Sequence, residues 1–465
     1  MLSEVRTFGE RLSKWMEENN LTPSDLAVYT RETRDATIAR LMHDQLDYQR
    51  CARYITELAQ SYPGIDEETL KRLRLGVDVN RYGKELFLAK QNFFRMISGD
   101  EKSVCCAQIG EFCEEILAWS EGMSFQLLCV GFGDTQPQRL LASLSKKRKD
   151  IHIYSFFDKE NVGELSGLLA ETLPIAFNPN YELFEINNNR GAMMNNVMIA
   201  KREDGRHLLV AYDGDRYLTL PMPSEAGLFD FSLNILFSKH RAPKKINRRF
   251  TQNNPLAFKD FLIQCMLLEK DKAIYEIKTE IGLEYVPVPI LLENFCQWAC
   301  RFDTSFLPFI DELKEIFEKR YENILSKKEP TYLIMTREGM TEFAKTGRMK
   351  DHPFCLRPFT PAERKEILKN LLKISAKSAS ITPLFFSSES ISLDYSFIGY
   401  SRACILVCAA QADYDLNNYT ELVLDSKELA GQFADFVTGI LIKNHVLSKK
   451  ASIEFIQTLI DMIDA

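Results

Sequence analysis

No apolar run in the chain approaches the roughly 18 residues a helix needs to cross a bilayer. Clean runs such as Ile405 to Ala410 are far shorter. The N-terminus carries Glu4, Glu10, Glu17 and Glu18 where a secretory leader would be basic and then apolar. A cytoplasmic protein with no membrane partner is therefore expected. Glycine (21) and proline (17) are scarce among 465 residues, which excludes collagen-like and long low-complexity segments. The six histidines (His43, His152, His207, His240, His352 and His445) are too scattered for a sequence-local metal site. The eleven cysteines form no C-x-x-C pair and are odd in number, so neither a disulfide framework nor a zinc ribbon is indicated. Cys296/Cys300 and Cys404/Cys408 read as buried, reduced thiols. No H-E-x-x-H, G-x-S-x-G or Walker loop occurs. The expectation is no catalytic residue, no metal and no cofactor. An excess of positive charge is missing too. The 58 basic residues face 65 acidic ones, net −7, which excludes coating nucleic acid by bulk charge.

What the chain does have is material for large cores: 45% apolar residues, 31 of them phenylalanine. At about 150 residues per domain the length allows roughly three domains. Residues 1–78 read as five short helices. Phe8, Leu12, Trp15 and Met16 lie on one face of the first. Thr22 caps the second, with Pro23 at its first position and Asp25 three residues on. Residues 79–122 read as a helical connector, 123–250 as an α/β domain, 251–330 as a helical segment and 331–465 as a second α/β domain. Strands are expected at Phe125–Val130, Ile151–Phe157, Thr331–Met335, Thr382–Phe386 and Cys404–Ala409. A meander runs from Asn196 to Leu220 through Asp204-Gly205 and Asp213-Gly214 turns. Residues 239–249 carry six Lys/Arg and no acid, and read as a linker. Lys146 to Lys149 reads as basic surface.

The two α/β regions look like a duplication. The first has a helix after Thr135, a strand ending Phe156-Phe157 and a closing AGLFDFSLNIL (226–236). The second has a helix after Thr360, a strand ending Phe385-Phe386 and a closing AGQFADFVTGIL (430–441). Tandem units of this kind are similar to the duplicated phospholipase D-like fold. That chemistry needs H-x-K followed by an acid, because histidine attacks phosphorus while lysine neutralises the oxyanion. No histidine here has lysine two residues on, so a catalytically empty sheet is the form this resemblance implies. Strand Phe125–Val130 also runs into Gly131-Phe-Gly133-Asp-Thr-Gln136, the start of a dinucleotide-binding fingerprint, with Asp158 ending the next strand. The third glycine is absent, so a plain tight turn is preferred.

Leu21-Thr-Pro-Ser-Asp-Leu-Ala27 followed by Thr37-Ile-Ala-Arg-Leu41 resembles the Cro/repressor-type (XRE) helix-turn-helix family over residues 5 to about 75. Leu26, Ile38 and Leu41 would form its small core, and Ala27 would let the third helix cross the second closely. The resemblance implies a third helix in the major groove of double-stranded DNA. Arg34, Asp35 and Thr37 would face base edges, with Thr33 beside them in the turn, while Arg31 and Arg40 would meet phosphates. The turn, Thr30-Arg31-Glu32-Thr33, is one residue longer than usual and has no glycine. Residues 1–75 hold 11 Lys/Arg and 13 Asp/Glu, net −2. An acidic domain must gather its cations on one face, or double its contacts by dimerising.

The expected fold class is thus an all-α helix-turn-helix domain followed by two mixed α/β units with helical connectors. The expected function is a DNA-binding transcriptional regulator, a homodimer on an operator, whose α/β units sense an unidentified small-molecule or protein effector. The rivals are an interaction or scaffold protein whose helical domain has lost DNA binding, and a nucleotide-binding enzyme using the Gly131/Gly133 turn.

Overall fold

The computed structural model describes residues 5–30, 32, 35–62, 64–84, 87, 91, 107–130, 135–158, 170, 173, 175–186, 197–212, 217–222, 224, 227–238, 243–251, 255–302, 304–349, 357–378, 380–388, 393–409 and 420–464. Two compact units result, Met1–Asn92 and Phe93–Ala465. No helix among the described residues is long and apolar enough to cross a membrane.

The first unit holds α1 (Phe8–Glu18), α2 (Pro23–Tyr29), α3 (Asp35–Met42), α4 (Tyr48–Ser61) and α5 (Glu67–Tyr82). Their starts follow local chemistry. Thr7 and Thr22 close capping boxes with Glu10 and Asp25, while Asp47 and Asp66 cap α4 and α5. Phe8, Leu12, Leu26, Ile38, Leu41, Tyr54 and Leu58 share one core. Asp44 then locks α1 in place. One of its oxygens accepts from Gly9 N–H and from Asn80 Nδ2, both at 2.7 Å, and the other from the Thr7 hydroxyl.

The second unit opens with α6 (Ala107–Ser120) and contains two seven-stranded mixed sheets. In the first, β1 (Phe125–Val130), α7 (Thr135–Lys147), β2 (His152–Asp158) and β3 (Tyr181–Ile186) form a parallel set. The meander β4 (Val197–Arg202), β5 (His207–Tyr212) and β6 (Tyr217–Met222) adds to the other side of β1, antiparallel throughout. Gly205, at φ +87°, makes the β4–β5 turn expected at Asp204-Gly205; Asp213-Gly214 lies outside the described residues. Helix α8 (Leu228–Leu236) closes the unit.

The second sheet repeats this plan. β9 (Ile274–Lys278) is followed by α10 (Val288–Phe302) and α11 (Ile310–Ser326), then β10 (Thr331–Met335), α12 (Arg337–Thr346), α13 (Pro361–Lys377) and β11 (Ile381–Phe385). These three strands are parallel, and β12 (Tyr395–Tyr400), β13 (Cys404–Ala409) and β14 (Thr420–Leu424) form the antiparallel meander. Helices α14 (Lys427–Phe436) and α15 (Lys449–Asp464) complete it. The strand orders β6-β5-β4-β1-β2-β3 and β14-β13-β12-β9-β10-β11 coincide position by position. In each half a phenylalanine of the closing helix packs at the fourth strand. Phe229 lies under Lys201 of β4, and Phe433 fills the space that a Cβ on Gly399 of β12 would need. The repeat is framed one strand later than the spelling suggests. The strand ending Phe156-Phe157 is second in its half, and the one ending Phe385-Phe386 is third in its own.

This architecture replaces the expected one. The chain is not a helix-turn-helix domain followed by α/β units with helical connectors; it is organised on two seven-stranded sheets. Segments read as connecting or helical supply strands to them. The basic run at 239–249, extended to Thr251, contains β7 (Lys244–Lys245), which pairs with β3, and β8 (Asn247–Thr251), which pairs with β14. The stretch 251–330 supplies β9, between α9 (Pro255–Asp271) and α10. Charged and polar residues hid both, because Glu276, Lys278, Asn247 and their neighbours break the apolar patterns that announce a strand. A helix-turn-helix domain is not evident either. Helices α2 and α3 have seven and eight residues, and positions 31, 33 and 34 of their connection lie outside the described residues.

Candidate functional site

Arg31, Thr33 and Arg34 lie outside the described residues, and Asp35 is described only as the first residue of α3. The structure places the other two residues expected at DNA on α3. Thr37 is half-buried and Arg40 exposed, with its Nη2 donating to the Gln45 carbonyl at 3.5 Å. Ile38 and Leu41 turn the opposite side of α3 into the core. The outward side is therefore Ala36, Ala39, Arg40 and, just beyond the helix, His43, all exposed. The acidic Glu32 is held away by Tyr54, whose hydroxyl donates to its carboxylate at 2.6 Å. Burial, then the hydrogen bond to Glu32 and its charge, pushes that phenol up to about 12, so it remains a donor.

A second constellation, unseen in the sequence, sits at the centre of the second sheet. Residues of β9 are buried throughout, and alternation puts Glu276 and Lys278 on one face. The Lys278 ammonium lies between Glu276, at 3.2 Å, and Glu284, at 2.9 Å. Tyr285 donates its hydroxyl to Glu276 at 2.5 Å. Arg320 on α11 forks onto Glu269 of α9 at 2.6 and 3.0 Å and reaches Glu284 at 3.6 Å. Gly282 must be bare here, since a Cβ would lie 2.0 Å from a Glu284 oxygen and 2.4 Å from the Lys278 nitrogen.

Charge balance follows from these contacts. Burial raises the Glu276 carboxyl to about 8, helped by the Glu284 charge. Burial opposes ionisation of Glu284 as well, but Lys278 and Arg320 outweigh it and hold that carboxyl well below the usual range. The Glu284 carboxylate thus faces two cations, Lys278 and Arg320, while Glu276 keeps its proton to about pH 8 and Lys327 donates to the Glu269 carbonyl at 2.7 Å. The neighbouring cavity, lined by Ser396 and Glu421 among others, holds about 30 Å³, room for about one water. The cluster can store a proton and fix α9, α11 and β9 together; it has no room for a substrate.

The remaining expectations have less geometry. Gly131 and Gly133 lie outside the described residues, as does the Asp158 side chain. No group of three metal-ligating side chains occurs among the described residues. The eight described cysteines are free; Cys300 is exposed and Cys296 half-buried, where burial was expected for both.

No family model matches the chain. No curated protein matches it. Two solved structures show how remote the likenesses are. A phosphatidylserine synthase from Haemophilus influenzae Rd KW20 is 11% identical, covering 82% of this chain and 97% of that one, with a TM-score of 0.26. A mutant yeast tyrosyl-DNA phosphodiesterase is 11% identical over 66% of this chain and 82% of its own, with a TM-score of 0.20. At these scores neither likeness bears on what this chain does.

Proposed function

We propose that the chain is a DNA-binding regulatory protein of the cytoplasm that acts as a homodimer. The observation that carries this reading is the outward side of α3. An α-helix about 10–12 Å across fits a major groove about 12 Å wide. Ala36 and Ala39 leave its surface low enough for close approach, Arg40 supplies a cation for a phosphate, and Glu32 is tied back by Tyr54. The two-sheet unit serves sensing and assembly, and an effector bound there acts by changing the spacing of the two α3 helices of the dimer. The edge strand β6, with Leu218 and Leu220 exposed, is the surface on which two copies meet.

Genome-fragment selection with the purified full chain at low and moderate salt tests the reading. The expected result is enrichment of one pseudo-palindromic sequence, with Arg40→Gln weakening binding to it and lowering its salt dependence by about one phosphate contact. Binding without sequence preference, or none, removes the proposal and favours a protein-docking role for the acidic first unit.

A further inference from the structure

A cleft of about 430 Å³ opens on the first unit between α1 and α5. Its charged lining is nearly of one sign, with Arg6, Arg11, Lys14 and Arg72 against Glu18 alone. That is a local reversal, because the 11 cations of residues 1–75 are outnumbered by 13 acids. Trp15 and Leu73 form a buried apolar floor.

Close helix packing builds the cleft. A Cβ on Gly76 of α5 would lie 2.7 Å from the Phe8 Cα and 2.9 Å from the Arg11 Cδ, so bare backbone lets α1 come in and seats the Arg11 stem. At about 100° per residue, Arg11, Lys14 and Glu18 fall within about 60° of arc on α1. Gly9, whose Cβ would strike the Met42 carbonyl at the end of α3, lies about 180° from Glu18. The cleft and the α3 side are different surfaces of the unit.

The cations are incompletely used. Lys14 reaches Glu18 at 3.5 Å and Arg72 pairs with Glu68, both exposed pairs that stabilise little. Arg11 donates Nε to the Arg6 carbonyl at 3.0 Å, and neither Arg6 nor Arg11 forms an ion pair with a carboxylate among the described residues. Burial, then the like charges of Arg6 and Arg72, pushes the half-buried Arg11 guanidinium below its ordinary value, with Glu10 opposing. An anion in the cleft would relieve that repulsion.

We propose that the α1–α5 cleft binds a diphosphate or polyphosphate group, free or as part of a nucleotide, whose oxygens are met by Arg6, Arg11, Lys14 and Arg72. The volume lies within the range of about 300–1,000 Å³ usual for small-molecule sites. Guanidinium forks match phosphate oxygens in pairs, and a net surplus of three cations suits a polyanion better than a single carboxylate. This site stands apart from the DNA reading, since it uses none of the α3 residues.

Calorimetric titration of the full chain with pyrophosphate and with a nucleoside triphosphate, at low and moderate salt, is the test. Both ligands should bind, more weakly as salt rises. R6Q/K14Q, which changes two exposed side chains, should weaken both by about tenfold or more. R11Q should do so again, while R74Q, whose side chain pairs with Glu67 outside the cleft, should change nothing. The exposed pair keeps the test informative if R11Q does not fold. No heat with either ligand at millimolar concentration, or binding unchanged in R6Q/K14Q, overturns the proposal. So does loss of duplex DNA binding in R6Q/K14Q with no pyrophosphate binding in the parent, which would make the cleft a contact for a polymer backbone.

Discussion

Glu276 keeps its proton to about pH 8, whereas a glutamate in the unfolded chain gives it up near 4.5. Between those values the folded chain binds more protons than the unfolded one, so its stability falls as pH climbs from about 4.5 to about 8. Lys327 works above that window. Burial brings its ammonium down to about 8, so the folded chain sheds that proton before the unfolded chain does and gains stability from about pH 8 to 10.5. Glu276→Gln keeps a neutral acceptor for the Tyr285 hydroxyl and removes the first slope. Melting temperatures of the variant should gain on the parent steadily from pH 5 to pH 8; two parallel curves would mean that Glu276 ionises normally. Residues of this kind were illegible in the sequence. Glu276 and Lys278 fall in the stretch 251–330 that reads as helical, and nothing local says that a charge there will be buried beside its partner. Asp44 was hidden for the same reason, since its partners Gly9 and Asn80 are 35 and 36 residues away in sequence.

Among the elements, those that announce themselves through short-range chemistry were readable. Thr22-Pro23 with Asp25 and Thr360-Pro361 with Glu363 mark helix starts that the structure keeps, capping boxes included. Cys404–Ala409 and Thr331–Met335 are uninterrupted by charge and are strands with those bounds. The candidate site was legible only in part, as the buried side of α3 through Ile38 and Leu41. Its outward side depends on which neighbours leave Ala36 and Ala39 uncovered. Strand β6 carries its own expectation. It ends the order of the first sheet, with Leu218 70% and Leu220 51% exposed. Apolar side chains on a sheet edge favour pairing with another chain, and lysine there opposes it. If the proposed dimer forms through this strand, light scattering should find the parent dimeric and L218K/L220K monomeric, with the melting temperature of the monomer within a few degrees; a parent that is monomeric, or a variant that stays dimeric, removes the contact.

At the scale of the second unit, the segment Lys244–Thr251 is shared property. Ile246 donates its N–H to the Leu183 carbonyl at 2.9 Å on the first sheet and accepts at 2.7 Å from the Asp425 N–H on the second. Asn247 accepts from Leu183 N–H at 2.8 Å and donates to the Tyr181 carbonyl at 3.0 Å. Arg249 adds donations to the carbonyls of Asn178, Pro179 and Tyr181. N247A/R249A should cost about 5 kcal/mol, with the five side-chain hydrogen bonds counted at about 1 kcal/mol each. Calorimetry should find one transition for this unit in the parent and two in the variant, and an undivided transition in the variant would mean that the sheets are coupled by other contacts.

The same eight residues finish the margins of both sheets, so the second unit has no seam between its two sheets along which to be cut. A protein engineer dividing it before Lys244 would strip the first half of its last strand, and dividing it after Thr251 would rob the second. Neither fragment should be obtainable in native form by itself, and any ancestor that possessed only one copy of the repeat must have closed its margin in some other way.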